Sequence, residues 1–280
     1  MNTNFDNRVS TPLPSREGQG GGSEISPRAE VSPKAKIGDN CKIFPFVYIE
    51  DDVVIGDNCI IFPFVSILNG TRMGRGNKVH QGAVIAALPQ DFNFQGEKSE
   101  CVIGDNNVIR ENVVINRATH TGGKTVIGNG NFLMEGAHVS HDTKIGDNCV
   151  LGYGTKIAGD CEIGNGVIFS SSVIENANTR VGEGSMIQAG TTFSKDVPPY
   201  IVAGGKPIGY NGPNSTMMTS YGITEKVQKH IANAYRLVFN GQGSLFDAIL
   251  QIKDQIPDSP EIQNIIRFLD STKAGIMTKL

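Results

Sequence analysis

The sequence predicts an all-β, left-handed parallel β-helix of hexapeptide repeats with a C-terminal α-helical domain, and three observations predict it. An aliphatic residue returns every sixth place at Ile25, Val31, Ile37, Ile43, Ile49, Ile55, Ile61 and Ile67, and the same phase resumes from Ile103 to Phe169. Glycine recurs one place after this beat (Gly38, Gly56, Gly104, Gly146), and Asn or Gly recurs three places after it (Asn40, Asn58, Gly82, Asn112, Gly136). Beyond residue 200 the period of six gives way to helical spacing. A period of six belongs neither to an α-helix nor to a plain strand, and a fixed short period means stacked coils. Asn and Gly accept a left-handed backbone most cheaply, so the chain turns at every hexapeptide. Three strands and three turns close a triangular coil of eighteen residues, and successive coils stack at about 4.8 Å.

Taken in order, residues 1–23 are rich in Gly, Pro and Ser, lack the apolar core of a signal peptide, and read as a disordered leader. Residues 24–200 form the prism. The beat lapses over 86–102 (AALPQDFNFQGEKSECV) and 116–126 (NRATHTGGKTV), which read as loops thrown out from the scaffold, where function concentrates. At Glu175 the beat falls on a carboxylate. Burying it is costly, so a local bulge is expected, with Ile174 or Val173 taking the inward place; a buried catalytic acid is the alternative. Cys41, Cys59, Cys101, Cys149 and Cys161 all stand four places after a beat position, the slot for a small inward residue, and Cys41 should stack on Cys59. Residues 201–280 make the helical domain, read as three helices. In the first, Val227, Ile231, Ala234 and Val238 share a face, Thr224 is the N-cap and Asn240-Gly241 the stop; the last has Ser259 as cap and Pro260 at its first position.

Among 280 residues the formal charge is −3, which leaves no basic field for nucleic acid. The odd number of cysteines, with no metal-ligand spacing, reads as reduced thiols in a cytoplasmic protein. No apolar run approaches the eighteen or so residues of a membrane span. A prism offers flat faces and no deep pocket. Sites are therefore expected in clefts between the subunits of a homotrimer.

The stretch HVSHD puts His138, His141 and Asp142 at one turn, with neither histidine in the aliphatic slot. An imidazole near neutrality can take a proton from an attacking hydroxyl, and a neighbouring carboxylate can hold its tautomer. Three solvated polar residues at a turn are the bland alternative. A third reading stacks His120, eighteen residues earlier, beneath His138, so that His120, His138 and His141 offer three nitrogens to zinc.

GDNNVIRENVVINRATHTGGKTVIGNGNFLMEGAHVSHD, then IAGDCEIG, DVPPYIVAGGKPIGYNGPN and a helical tail, resembles the acyl-ACP:UDP-N-acetylglucosamine O-acyltransferase family, the first enzymes of lipid A synthesis. The resemblance covers about 24–280. It implies that His141 is the general base, Asp142 its polarising partner and His138 a substrate contact. It also implies acyl carrier protein and a nucleotide sugar as partners and calls for no cofactor or metal. PQDFNFQGE (89–97) corresponds to the loop over the sugar and phosphates, with Gln90 and Asp91 matching the family's QD. The N–H near Gly159 would be the oxyanion donor. Met186 and Ala189 correspond to the acyl-chain cleft, and the small residue at 189 points to a long chain.

The chain departs from the family in several places. Asn93 replaces a phosphate-pairing lysine, and Asp160 stands where a histidine is usual. Asn176 and Ala177 replace a His-Gln pair, and Ser220 and Tyr221 replace two arginines; Asn214 persists near the nucleotide. Each lost cation removes a contact worth about 1.5–3 kcal/mol. Lys156, eighteen residues after His138, is the candidate replacement, or else a solvated lysine. Three alternatives stand beside transfer to UDP-N-acetylglucosamine: a CoA- or ACP-dependent acyl- or acetyltransferase on another sugar, a non-catalytic trimeric paralogue that binds acyl carrier protein, and a zinc hydratase.

Overall fold

The computed structural model describes residues 16–17, 22–241 and 243–277. Short strands of two to five residues assemble into three sheets, the faces of a left-handed parallel β-helix. In chain order, the first face starts at Glu24–Ile25, the second at Glu30–Val31 and the third at Lys36–Ile37. Along the regular coils a strand pairs in parallel with the one eighteen residues on, as Lys42 with Ile60 and His138 with Lys156, and across the two loops the partner lies further on, as Lys78 with Val108 and Val114 with His138. Within the stretch read as a leader, Arg16–Glu17 pairs antiparallel with Glu24–Ile25; the rest of that reading, residues 1–15 and 18–21, lies outside the described residues.

The beat residues point inward. Ile43, Ile61, Val79, Ile109, Leu133, Leu151, Phe169 and Ile187 are fully buried along the first face, each worth about 1.5–3 kcal/mol of hydrophobic stabilisation. The turn slot is left-handed, with φ of 56° at Asn40, 59° at Asn58 and 57° at Asn112. The glycines just after the beat have a different cause. A Cβ on Gly56 would lie 2.7 Å from the Gly74 carbonyl carbon, so successive coils meet backbone to backbone there. The five thiols are free and buried. Four of them, at Cys41, Cys59, Cys149 and Cys161, donate to a carbonyl of the next coil, which makes them part of the packing. Phe46 and Phe64 hold the left-handed turn (φ 64° and 63°), with exposed rings stacked at 5.2 Å.

Both interruptions leave the prism at the corner between the second and third faces. One lies between strands Val84–Ala87 and Glu100–Ile103, the other between Val114–Asn116 and Lys124–Ile127. The strands therefore run further into both interruptions than the lapse in the beat indicates.

The bulge expected at Glu175 is absent. Glu175 keeps its register between Ile157 and Phe193 and is 0% exposed, while Ile174 points out at 44%. The carboxyl yields instead of the backbone, because breaking two strand ladders costs more than holding a proton. Burial, joined by the charge of Asp196, raises its pKa well above the ordinary value despite the Thr179 hydroxyl. Thr179 Oγ1 lies 3.0 Å from Glu175 Oε1 and 2.7 Å from the Asn176 carbonyl. The hydroxyl has one proton, so a protonated Glu175 supplies the other bond.

After Tyr200 a hairpin, Ile201–Gly204 and Gly209–Pro213, extends the first face. Among the described residues four helices follow where three are expected: α1 Ser215–Ser220, α2 Glu225–Asn240, α3 Leu245–Gln255 and α4 Pro260–Asp270. The additional one, α1, is too short to show a periodic face. The helices dock on the end of the prism. Tyr235 donates its hydroxyl to the Pro199 carbonyl, and Asn264 donates to Tyr200 Oη at 2.8 Å. Arg180 pairs with buried Asp196 at 3.0 Å and reaches the Phe268 carbonyl and Ser271, while Thr272 donates to the same carboxylate.

Candidate active site

The corner that releases both loops also carries Ser140-His141-Asp142, immediately after the strand His138–Val139. Asp142 takes the left-handed turn position (φ 59°) held at most coils by Asn or Gly, and its N–H donates to Thr125 Oγ1 at 2.9 Å. The carboxylate is thereby turned back along the chain, with Oδ2 2.9 Å from His141 Nδ1. A carboxylate only accepts, so Nδ1 carries the proton and Nε2 presents its lone pair. Thr119, from the second loop, donates to the same Oδ2 through its N–H (3.1 Å) and its hydroxyl (2.8 Å). Burial pushes the Asp142 carboxyl up, but the hydrogen bonds from Thr119 and His141 prevail and hold it below the usual range.

Gly159, one coil on, is buried beneath the His141 ring. A Cβ there would lie 2.5 Å from Cε1 and 2.8 Å from Nε2. The glycine is required by that ring, because its own backbone is not left-handed. Asp91, from the first loop, brings Oδ2 to 3.7 Å from His141 Nε2. Asn93 closes a turn by donating its N–H to Asp91 Oδ1 at 2.7 Å, and Gln90 is exposed beside it. His138 lies on the second face with Lys156 as its lateral neighbour. Burial pushes the His138 imidazole below its ordinary value, and Lys156 and His141 add to the effect. The Lys156 ammonium is committed to the Gly136 carbonyl. Asp160 is exposed at the same turn as Gly159, its N–H on the His141 carbonyl at 3.1 Å. Asn176 and Ala177 are exposed at this corner, a further coil on.

Other candidates stand elsewhere on the chain. Met186 is on the first face and Ala189 at the corner after it. Asn214 is 6% exposed and caps α1, accepting from the Met217 N–H and donating to the Gly184 carbonyl; that position is a helix cap with both ends of its amide engaged. Ser220 donates to the Met217 carbonyl, and Tyr221 lies over Gly166. Gly166 and Gly184 belong to the corner between the third and first faces, so within one chain the prism separates this group from His141. His120 is not beneath His138, because the second loop puts Val114 in that register place. Its Nδ1 stands 3.2 Å from Asp142 Oδ1 instead. Among the described residues no group of three His, Cys, Asp or Glu could hold a metal ion, and no helix is long and apolar enough to cross a membrane. Thr119 and Thr125, which orient Asp142, went unread in the sequence; the only signal was their place flanking a Gly-rich excursion.

A β-helix of hexapeptide repeats that sets a tautomer-fixed histidine on an open corner defines the hexapeptide acyltransferase class. The bacterial transferase hexapeptide family matches residues 34–61, 52–87 and 124–159. The family described as Udp N-acetylglucosamine O-acyltransferase, domain 2, matches 196–277. The chain is 47% identical over 254 residues to the acyl-[acyl-carrier-protein]–UDP-N-acetylglucosamine O-acyltransferase of Chlorobaculum parvum, covering 90% of this chain and 96% of that protein. It is 35% identical to the protein of that name from Halorhodospira halophila, over 91% and 99%. The crystal structure of the UDP-N-acetylglucosamine acyltransferase from Bacteroides fragilis superposes with a TM-score of 0.89 at 47% identity, covering 90% of this chain and 99% of that one. The chain belongs to the acyl-[acyl-carrier-protein]–UDP-N-acetylglucosamine O-acyltransferase family.

Proposed function

We propose that the protein transfers a 3-hydroxyacyl group from acyl carrier protein to the 3-hydroxyl of UDP-N-acetylglucosamine, the first step of lipid A biosynthesis, with His141 as general base. The observation that carries this reading is the His141–Asp142 contact at 2.9 Å, which leaves Nε2 free to accept. His141 Nε2 takes the proton of the sugar hydroxyl as its oxygen attacks the thioester carbonyl. Asp142 steadies the imidazolium that forms. The Gly159 N–H is not spent on a turn partner and is the natural donor to the oxyanion. Collapse of the tetrahedral intermediate expels the carrier thiolate, which recovers the proton from His141. Asp91 orients the incoming hydroxyl beside Nε2, and His138, disposed toward its neutral form by burial, serves as a hydrogen-bonding contact.

The active form is a homotrimer. The residues that the family pattern associates with the nucleotide and the acyl chain (Met186, Ala189, Ser220, Tyr221) stand across the prism from His141, so one site draws on two chains. His141→Ala abolishes transfer while leaving assembly and melting intact; activity within severalfold of wild type removes the base. A second acceptor sugar is the competing reading, favoured by Asn93, Ser220 and Tyr221 in place of cations and by the prior commitment of Lys156. Thermal-shift titration decides it, since a ligand at a hundred times its dissociation constant adds about 2.7 kcal/mol. UDP-N-acetylglucosamine giving no shift while another nucleotide sugar does would establish the other acceptor.

A further inference from the structure

Asp142 uses its two oxygens unequally. Oδ2 receives His141 Nδ1, the Thr119 N–H and the Thr119 hydroxyl. Oδ1 is buried and makes no well-aligned hydrogen bond. A carboxylate oxygen left so costs about 1–3 kcal/mol, and the polar atom that addresses it is His120 Nδ1 at 3.2 Å. The His120 side chain is 70% exposed, yet it has a seat. Its ring lies against Gly123, where a Cβ would come within 2.8 Å of both Cε1 and Nε2, and the Gly123 N–H closes the turn onto the His120 carbonyl at 2.9 Å. The loop thus delivers two consecutive residues to one carboxylate, Thr119 to the oxygen shared with the base and His120 to the other.

We propose that His120 is a positioning residue for the His141–Asp142 pair, fixing the carboxylate through the oxygen that His141 does not use. This rests on His141 being the general base. Without His120 the carboxylate is gripped on one side only and can rotate about its Cβ–Cγ bond, taking the Nδ1 contact with it. With His120 in place the plane of the carboxylate is set from both edges. A residue acting in this way changes turnover and not substrate affinity, and its effect vanishes when the carboxylate is absent.

Steady-state kinetics of His120→Ala, His120→Asn, Asp142→Ala and the double variant His120→Ala/Asp142→Ala test the inference, using acyl-ACP and a nucleotide sugar that the wild type turns over. His120→Ala is expected to lower kcat by about tenfold, the order of one contact to a charged partner, with both KM values and the melting temperature unchanged. His120→Asn, whose amide reaches the same oxygen, recovers to within about threefold of wild type. In the Asp142→Ala background, His120→Ala costs nothing more, the non-additivity expected of residues acting as one unit. A raised KM, or the same loss with and without Asp142, overturns the inference by making His120 a substrate contact, and an unchanged kcat overturns it outright. Asp142→Ala retaining wild-type turnover would instead sink the His141–Asp142 reading, a distinct result.

Discussion

Replacing Gly159 by alanine adds one methyl group at the place where the His141 ring lies. The new Cβ would stand 2.5 Å from Cε1, 2.8 Å from Nε2 and 3.0 Å from Nδ1, whereas carbon atoms settle at about 3.5 Å or more. The ring must retreat by about 1 Å, and the 2.9 Å contact of Nδ1 with Asp142 cannot survive that shift unchanged. A misplacement of this size costs about 100-fold in turnover, equivalent to about 2.7 kcal/mol of barrier. The backbone itself tolerates alanine, because Gly159 is not left-handed, so melting and assembly stay as in wild type. The assay is kcat for acyl transfer to the nucleotide sugar, with a circular-dichroism melt and gel filtration on the same preparation. Alanine keeps the backbone N–H, so a role confined to oxyanion donation predicts no loss. Turnover within about threefold of wild type would refute the claim that the ring acts from the position it occupies.

Glu175→Gln removes a carboxyl whose pKa is raised by burial. The unfolded chain releases that proton above about pH 4.5 and the folded chain keeps it, so this group lowers wild-type stability as pH rises, by about 1.4 kcal/mol per unit; unfolding curves of wild type and variant should diverge from pH 5 to 8, and parallel curves refute the burial. Asn214→Ala loses a helix cap, costing about 1–2 kcal/mol in a melt with the nucleotide-sugar KM unchanged; a tenfold rise in KM would return Asn214 to the substrate. Arg180→Ala strands the buried Asp196 carboxylate, and hydrogen exchange should show residues 271–277 opening faster, while protection equal to wild type would mean that the ion pair does not hold the tail.

The period of six carried the fold into view because each slot has its own physical cause. Inward isoleucines, Asn and Gly at left-handed turns, and glycines where coils touch all repeat together. Where one slot broke the rule, as at Glu175, sequence reasoning placed the adjustment in the backbone, while the molecule makes it by protonation. Phe46 and Phe64 show the limit from the other side, since nothing in their side chains announces a left-handed turn. At the site, His141 and Asp142 were legible because two of the chain's five histidines stand at one turn beside an aspartate, outside the aliphatic slot. Asp91 entered only through the family's QD and His120 only as a metal ligand, and Thr119 not at all; their places against His141 and Asp142 were out of reach, because a loop's path back to the scaffold follows from contacts and not from period. Register counted across such a loop misled for the same reason, and Val114 holds the place expected of His120.

Both excursions depart from and rejoin the prism at one edge, and each substitutes for whole hexapeptides. The rungs above and below therefore do not sense how long either excursion is. Evolution can lengthen, shorten or rewrite these segments without retuning the rest of the ladder, as an attachment is exchanged on a fixed rail. In this architecture changes in acceptor preference can arise by insertion and deletion at a single edge, while the imidazole below stays in place.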